Sequence, residues 1–170
     1  MSVTACIGLG ANLGDPLATL QRAIADLRTL PGTRVSALSS FNRSAPLGPA
    51  GQPDYINAVV VLETDLAPHG LLLQLQTIEN RHGRTRDLRW GARTLDLDLL
   101  LYGNDEILTS SLNVPHCELK NRNFVVIPLL EACPGLVLPD GTVLADLPAA
   151  RDITGLQRLP GSPAAAIDDN

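Results

Sequence analysis

The chain has 170 residues, 45% of them hydrophobic, with a mean hydropathy of +0.12 and a formal net charge of −5. That length suits one domain with a core of its own, and the acidic balance opposes general nucleic-acid binding, which needs a positive surface to displace counterions. No apolar run approaches the ~18 residues of a membrane span, and no basic segment followed by an apolar stretch opens the chain, so the expectation is a cytoplasmic protein.

In chain order, Val3 to Leu9 reads as a buried strand. The glycines of Gly8-Leu9-Gly10-Ala11-Asn12-Leu13-Gly14 read as turn formers, because their spacing misses the dinucleotide fingerprint by one residue. A helix opens near Asp15-Pro16, where Asp caps and Pro suits the first turn, with Leu17, Leu20, Ile24 and Leu27 on one face. Arg34 to Phe41 is a second strand, and Arg43 to Pro53, with three prolines and two glycines, an irregular loop. Tyr55 to Glu63 is strand-like, and Pro68 begins a helix striped by Leu71, Leu72, Leu75 and Ile78 that Gly83 stops. An arginine-rich loop leads to a strand over Thr94 to Tyr102. A polar loop then runs to His116, Asn123 to Glu131 forms a short helix, and Pro139-Asp140-Gly141 turns into a last short strand. Residues 1–158 are expected to form one domain, and Leu159 to Asn170 has the composition of a flexible tail. The order strand, helix, strand, strand, helix, strand predicts an α+β, ferredoxin-like split βαβ fold: a mainly antiparallel sheet flanked by helices. A parallel doubly wound sheet is disfavoured, since no crossover helix joins the second and third strands.

Only five aromatics, Phe41, Tyr55, Trp90, Tyr102 and Phe124, contribute to packing, so aliphatic side chains must dominate it. Cys6, Cys117 and Cys133 show no CxxC spacing and read as reduced structural thiols. His69 and His82 fall in helical or helix-end positions and read as surface residues.

The sharpest local signal is Arg93-Thr94-Leu95-Asp96-Leu97-Asp98-Leu99-Leu100-Leu101. Alternation puts the leucines at 95, 97, 99 and 101 on one face of the strand and both aspartates on the other. Two residues of rise separate those carboxylates by roughly 6–7 Å, so their side chains can converge on magnesium, which takes hard oxygen ligands while keeping waters and substrate phosphates. That pattern alone fits an ordinary charged edge strand equally well. The neighbouring loop changes the balance, because five of the twelve arginines, Arg81, Arg84, Arg86, Arg89 and Arg93, fall within thirteen residues. Forked guanidinium donors suit phosphate oxygens, and a nucleoside triphosphate with magnesium needs both kinds of binder side by side. Tyr55 and Asn57 share one face of their strand, an aromatic beside an amide as a flat heterocycle requires, and Phe124 can supply an opposing ring. His116 lies in a polar loop near Lys120 and Arg122, a candidate for contact with a phosphate or ribose.

The segment Arg89-Trp90-Gly91-Ala92-Arg93-Thr94-Leu95-Asp96-Leu97-Asp98-Leu99-Leu100 resembles the signature of the hydroxymethyldihydropterin pyrophosphokinase family. Gly8 to Leu13, Arg43 to Asn57 and Val114 to Phe124 resemble the same family, so the likeness covers about residues 3 to 142. The resemblance implies a monomeric enzyme using ATP and two magnesium ions to make the pterin diphosphate and AMP for folate biosynthesis. Its partners would be small molecules, with no nucleic acid and no membrane. By motif, Asp96 and Asp98 would hold the metals and, with Arg84 and Arg93, carry catalysis. Gln76, Glu79, Arg86, Trp90, Arg93, Leu99, Leu112, Asn113, His116 and Arg122 would line the ATP site. Ser44, Ala45, Leu47, Tyr55, Asn57, Trp90, Asp96 and Phe124 would line the pterin site, Tyr55 and Phe124 sandwiching the ring. Cys117 stands where the family often has an aromatic, and Ser44-Ala45 where it often has Thr-Pro. Two other readings stand beside this one: an RNA-binding ferredoxin-like module, which lacks its stacking aromatics here, and a metal-dependent nucleotide hydrolase using the same two aspartates.

Overall fold

The computed structural model describes residues 2–45, 53–82 and 95–160. Strand β1 (Val3–Ala11) leads through helix α1 (Pro16–Arg28) to β2 (Thr33–Leu38), β3 (Asn42–Ser44) and β4 (Tyr55–Thr64). Helix α2 (Pro68–Arg81) returns the chain to β5 (Asp96–Tyr102), and a small hairpin, β6 (Ile107–Leu108) and β7 (Asn113–Val114), precedes α3 (Asn123–Ala132). Short 3-10 turns follow, then β8 (Leu156–Arg158). The sheet order is β5-β1-β4-β3-β8, with β2 also paired to β4, and every pairing is antiparallel. Two split βαβ units therefore interlock, with β4 between β1 and β2 and β1 between β4 and β5, as the α+β expectation requires.

Local chemistry sets the helix starts. Asp15 Oδ1 accepts from Ala18 N at 3.2 Å and Pro16 occupies the first turn of α1, while Pro68 opens α2. Alternation in β1 then divides two cores. Ala5, Ile7, Leu9 and Ala11 pack with Leu20 and Leu27 of α1 and Leu71, Leu75 and Ile78 of α2. Cys6, on the other face, joins Val59, Val61, Leu100, Val126, Leu129 and Leu144 beneath α3. Each large aliphatic side chain buried this way contributes about 1.5–3 kcal/mol.

Six expectations need correction. The β1–β5 register shifts between Cys6 and Ile7, whose partners are Leu101 and Leu99. The extra residue reverses the alternation, so Leu101 joins the core under α3 instead of sharing a face with Leu95, Leu97 and Leu99. The strand expected to run to Phe41 ends at Leu38, because buried Ser39 inserts its hydroxyl into the ladder: Val59 N donates to Ser39 Oγ at 2.8 Å. The chain resumes as β3, which claims Arg43 and Ser44 from the expected loop. After Gly141 there is one bridge, Val137 to Val143, then 3-10 turns, and the last strand is Leu156–Arg158. Leu159, assigned to the tail, instead donates its N–H to Phe41 O at 2.9 Å and packs against the first core. His82, read as a surface residue, has a side chain only 12% exposed, and its Nε2 stands 2.9 Å from Asp26 Oδ2 of α1. No described helix is long and apolar enough to cross a membrane.

Candidate active site

On the α3 side of the sheet, the halves of β1, β4 and β5 away from the second core form the floor of a cavity of about 470 Å³, within the usual range for small-molecule sites. Pairing aligns its polar groups in rungs. Asp96 of β5 lies beside Gly10 of β1, Gly10 beside Asn57 of β4, and Asn57 beside Asn42 of β3. The next rung runs from Asp98 to Gly8 to Val59. Gly8 and Gly10, read from sequence as turn formers, are thus strand residues that line the cavity. Without side chains they leave room above the sheet, and a Cβ on Gly10 would stand 3.1 Å from Asn57 Oδ1. Gly14, at φ 65, is the residue that makes the turn.

Asp96 and Asp98 are half-buried and face this cavity together. Between them, Leu97 N donates to Glu79 Oε2 at 2.8 Å, a bond across from α2 to the outer edge of β5. Glu79 is 3% exposed, so its carboxylate holds the edge strand from the opposite side of the sheet. Partial burial, with the Asp96 charge second, pushes the Tyr55 phenol above its ordinary pKa, so the ring stays neutral beside the acid pair.

The other wall carries two aromatic rings. Tyr55 on β4 and Phe124 on α3 both line the cavity, and the Arg122 guanidinium carbon stands 5.7 Å from the Phe124 ring centroid. Asn57 Nδ2 donates to Ser44 Oγ at 2.6 Å, which fixes the amide with its oxygen over Gly10. His116 enters from the loop after β7, its main-chain N–H donating to Leu100 O at 3.0 Å. Its Nδ1 accepts from Glu118 N at 3.1 Å, so the neutral ring carries its proton on Nε2.

The cavity therefore gathers Asp96, Asp98, Ser44, Ala45, Tyr55, Asn57, His116, Arg122 and Phe124. Five other expected residues lie elsewhere: Gln76 is exposed on α2, Asn113 exposed on β7, Glu79 buried under β5, and Leu99 and Leu112 in the first core. Leu47, Arg84, Arg86, Trp90 and Arg93 lie outside the described residues. The inference from sequence missed Gly8, Gly10, Cys117 and Glu118 as lining residues. A signal for the glycines was present, since a Gly-x-Gly within a strand repeats at the same period of two as the Asp-x-Asp it pairs with.

Among the described residues, no group of three or more His, Cys, Asp or Glu converges as a closed metal cage. Two carboxylates on an open wall fit magnesium, which is commonly held by one or two acids plus substrate phosphates.

The sequence matches the family described as 7,8-dihydro-6-hydroxymethylpterin-pyrophosphokinase over residues 6–134. A 2-amino-4-hydroxy-6-hydroxymethyldihydropteridine pyrophosphokinase of Haemophilus influenzae is 49% identical over 145 residues, 85% of this chain and 91% of that protein. The protein of the same name from Pseudomonas aeruginosa is 48% identical over 156 residues, 92% of this chain and 96% of its own. Among solved structures, a Plasmodium falciparum HPPK-DHPS variant with pterin and p-hydroxybenzoate aligns with a TM-score of 0.69 at 11% identity, which is a likeness of fold. That alignment covers 93% of this chain and 47% of the other, so the chain spans under half of that longer protein.

Proposed function

The chain belongs to the 7,8-dihydro-6-hydroxymethylpterin-pyrophosphokinase family, and from that premise we propose that it transfers pyrophosphate from ATP to the hydroxymethyl group of 6-hydroxymethyl-7,8-dihydropterin in folate biosynthesis. The observation that carries the reading is that Asp96 and Asp98 open into the same cavity as Tyr55, Asn57 and Phe124. A phosphate-facing wall and a heterocycle-facing wall thus meet in one space.

The hydroxymethyl oxygen attacks the β-phosphorus, the bond from that phosphorus to the bridging α,β-oxygen breaks, and AMP leaves with that oxygen while the alcohol proton is lost. Such a transfer asks a protein for alignment and charge stabilisation and needs no covalent nucleophile. Tyr55 and Phe124 hold the ring, and Asn57, fixed by Ser44, reads its edge. His116 offers its Nε2–H, and Arg122 its guanidinium, to phosphate oxygens. We assign two magnesium ions to Asp96 and Asp98, and when bound such ions screen the phosphate charge and orient the two reacting oxygens. In this reading Arg84 and Arg93 would neutralise the transferring group, Arg86, Trp90 and the exposed Gln76 and Asn113 would contact the nucleotide, and Leu47 the pterin, whereas the burial of Glu79, Leu99 and Leu112 away from the cavity leaves those three without a contact role. A cytoplasmic monomer completes the proposal.

The RNA-binding alternative has little support, because the sheet face such modules leave open is covered here by α3 and the turns that follow it. Incubating the protein with ATP, magnesium and the reduced pterin alcohol should yield AMP and the pterin diphosphate in equal amounts. Release of phosphate or pyrophosphate from ATP without the pterin would favour a hydrolase instead.

A further inference from the structure

Asn123 opens α3 between two residues that line the cavity, Arg122 and Phe124, yet its own side chain faces the other way, towards the C-terminal segment. Its Nδ2 donates to Asp152 O at 2.7 Å and to Thr154 O at 3.0 Å. These carbonyls belong to a tight turn in which Thr154 N donates to Asp152 Oδ1 at 3.0 Å, Leu156 N donates to Ile153 O at 3.0 Å, and Gly155 takes φ 72. The turn delivers the chain into β8, whose Leu156 pairs with Ser44, Gln157 with Arg43 and Arg158 with Asn42. Leu159 N then donates to Phe41 O at 2.9 Å. The C-terminal segment is therefore tied at one end to the helix that carries Phe124 and at the other to the strand that carries Ser44.

A three-residue strand such as β3 has little stability of its own, and β8 occupies the edge that β4 leaves open. Ser44 receives the amide of Asn57, so motion of β3 is motion of the group that orients Asn57.

We propose that Asn123 is a positioning residue: with the segment from Asp152 to Leu159 it forms a clasp that sets the spacing between Phe124 and the Ser44–Asn57 pair, and so the fit of the pterin ring. The proposal rests on the pyrophosphokinase reading for its substrate but not for its geometry. The clasp acts on the ring-binding wall and not on the acid pair, which is held separately from β1 and from Glu79.

The test is a cycle of Asn123→Ala, truncation after Arg151, and the two combined, in the full chain otherwise. Asn123→Ala should raise the KM for the reduced pterin about tenfold, within the range for losing two neutral hydrogen bonds of this kind, with kcat and the KM for ATP changed less than about twofold. Truncation should give the same split, and the double change should add nothing, because both break one device. Hydrogen exchange at residues 42–44 should quicken in both single variants. Equal rises in both KM values, an unchanged pterin KM, or additive effects would overturn the proposal. Should the unaltered protein form no AMP, the function reading fails by itself, and the clasp then stands or falls on exchange, unchanged protection of residues 42–44 and 156–158 in Asn123→Ala overturning it. Should the truncated chain fail to fold, Asn123→Ala decides alone.

Discussion

One face of the sheet is packed at one end and hollow at the other, although the same three strands form both. At the packed end, Cys6, Val61 and Leu100 meet Val126 and Leu129 of α3, all of them buried. Along the same strands, the next inward positions are Gly8 and Gly10 on β1, Val59, Asn57 and Tyr55 on β4, and Asp98 and Asp96 on β5. The switch needs only a few steps in each strand. Removing side chains from the central strand makes the space, and replacing aliphatic groups on its neighbours with acids and an amide gives that space its chemistry. The packed core and the cavity thus occupy opposite ends of one surface, with Val59 and Leu100 shared between them.

The largest expected effect lies at the hollow end. Asp96→Ala or Asp98→Ala should lower turnover by about a thousandfold, the upper range for removing one preorganised electrostatic group, as read by AMP release at saturating substrates. The fold should remain intact in both variants, as read by far-ultraviolet circular dichroism. Near-normal turnover in both variants would break the comparison.

At the packed end, Leu129→Ala should cost about 2–5 kcal/mol of stability by denaturant unfolding, since the residue is fully buried and leaves a cavity. Its KM values at low temperature should match those of the unaltered protein. A large loss of substrate affinity would show that the two ends are not separable.

Gly10→Ala tests the boundary itself. The added methyl would stand 3.1 Å from Asn57 Oδ1 and must push the amide aside. We expect the KM for the pterin to rise about tenfold while stability shifts by less than about 1 kcal/mol. An unchanged pterin KM would remove Asn57 from the ring-reading role.

The smallest effect is in titration. Burial raises both tyrosine pKa values, with Asp96 adding to it at Tyr55 and Asp105 at Tyr102. A raised folded pKa means that the folded state holds its proton longer. The associated stability is complete below the unfolded value of about 10 and is lost as pH rises through the folded values. Ultraviolet titration of the native protein should show phenolate appearing above the pH at which it appears in denaturant, and coincident curves would contradict the burial seen here.

What the sequence discloses follows from which interactions are local. Helix starts at Asp15-Pro16 and Pro68, the acid pair of β5 and the pairing of Tyr55 with Asn57 rest on periods and caps within a few residues, so they are visible without the fold. The use of Gly8 and Gly10 is not, because their meaning depends on the strands either side, which come from residues 55–64 and 96–102. Leu101 changes core because of a bulge that no alternation pattern records, and Ser39 breaks a strand through a hydroxyl that bonds 20 residues away. The last strand eluded prediction for the same reason: three residues with little propensity are held by a partner more than a hundred positions earlier.

The central claim is that Asp96 and Asp98 hold metal within the cavity that Tyr55, Asn57 and Phe124 line. A crystal grown with manganese and a methylene-bridged ATP analogue, measured for anomalous scattering, tests it most directly. The account predicts metal density in contact with both carboxylates and opposite the aromatic wall; density bound to phosphates alone, away from both aspartates, would contradict it.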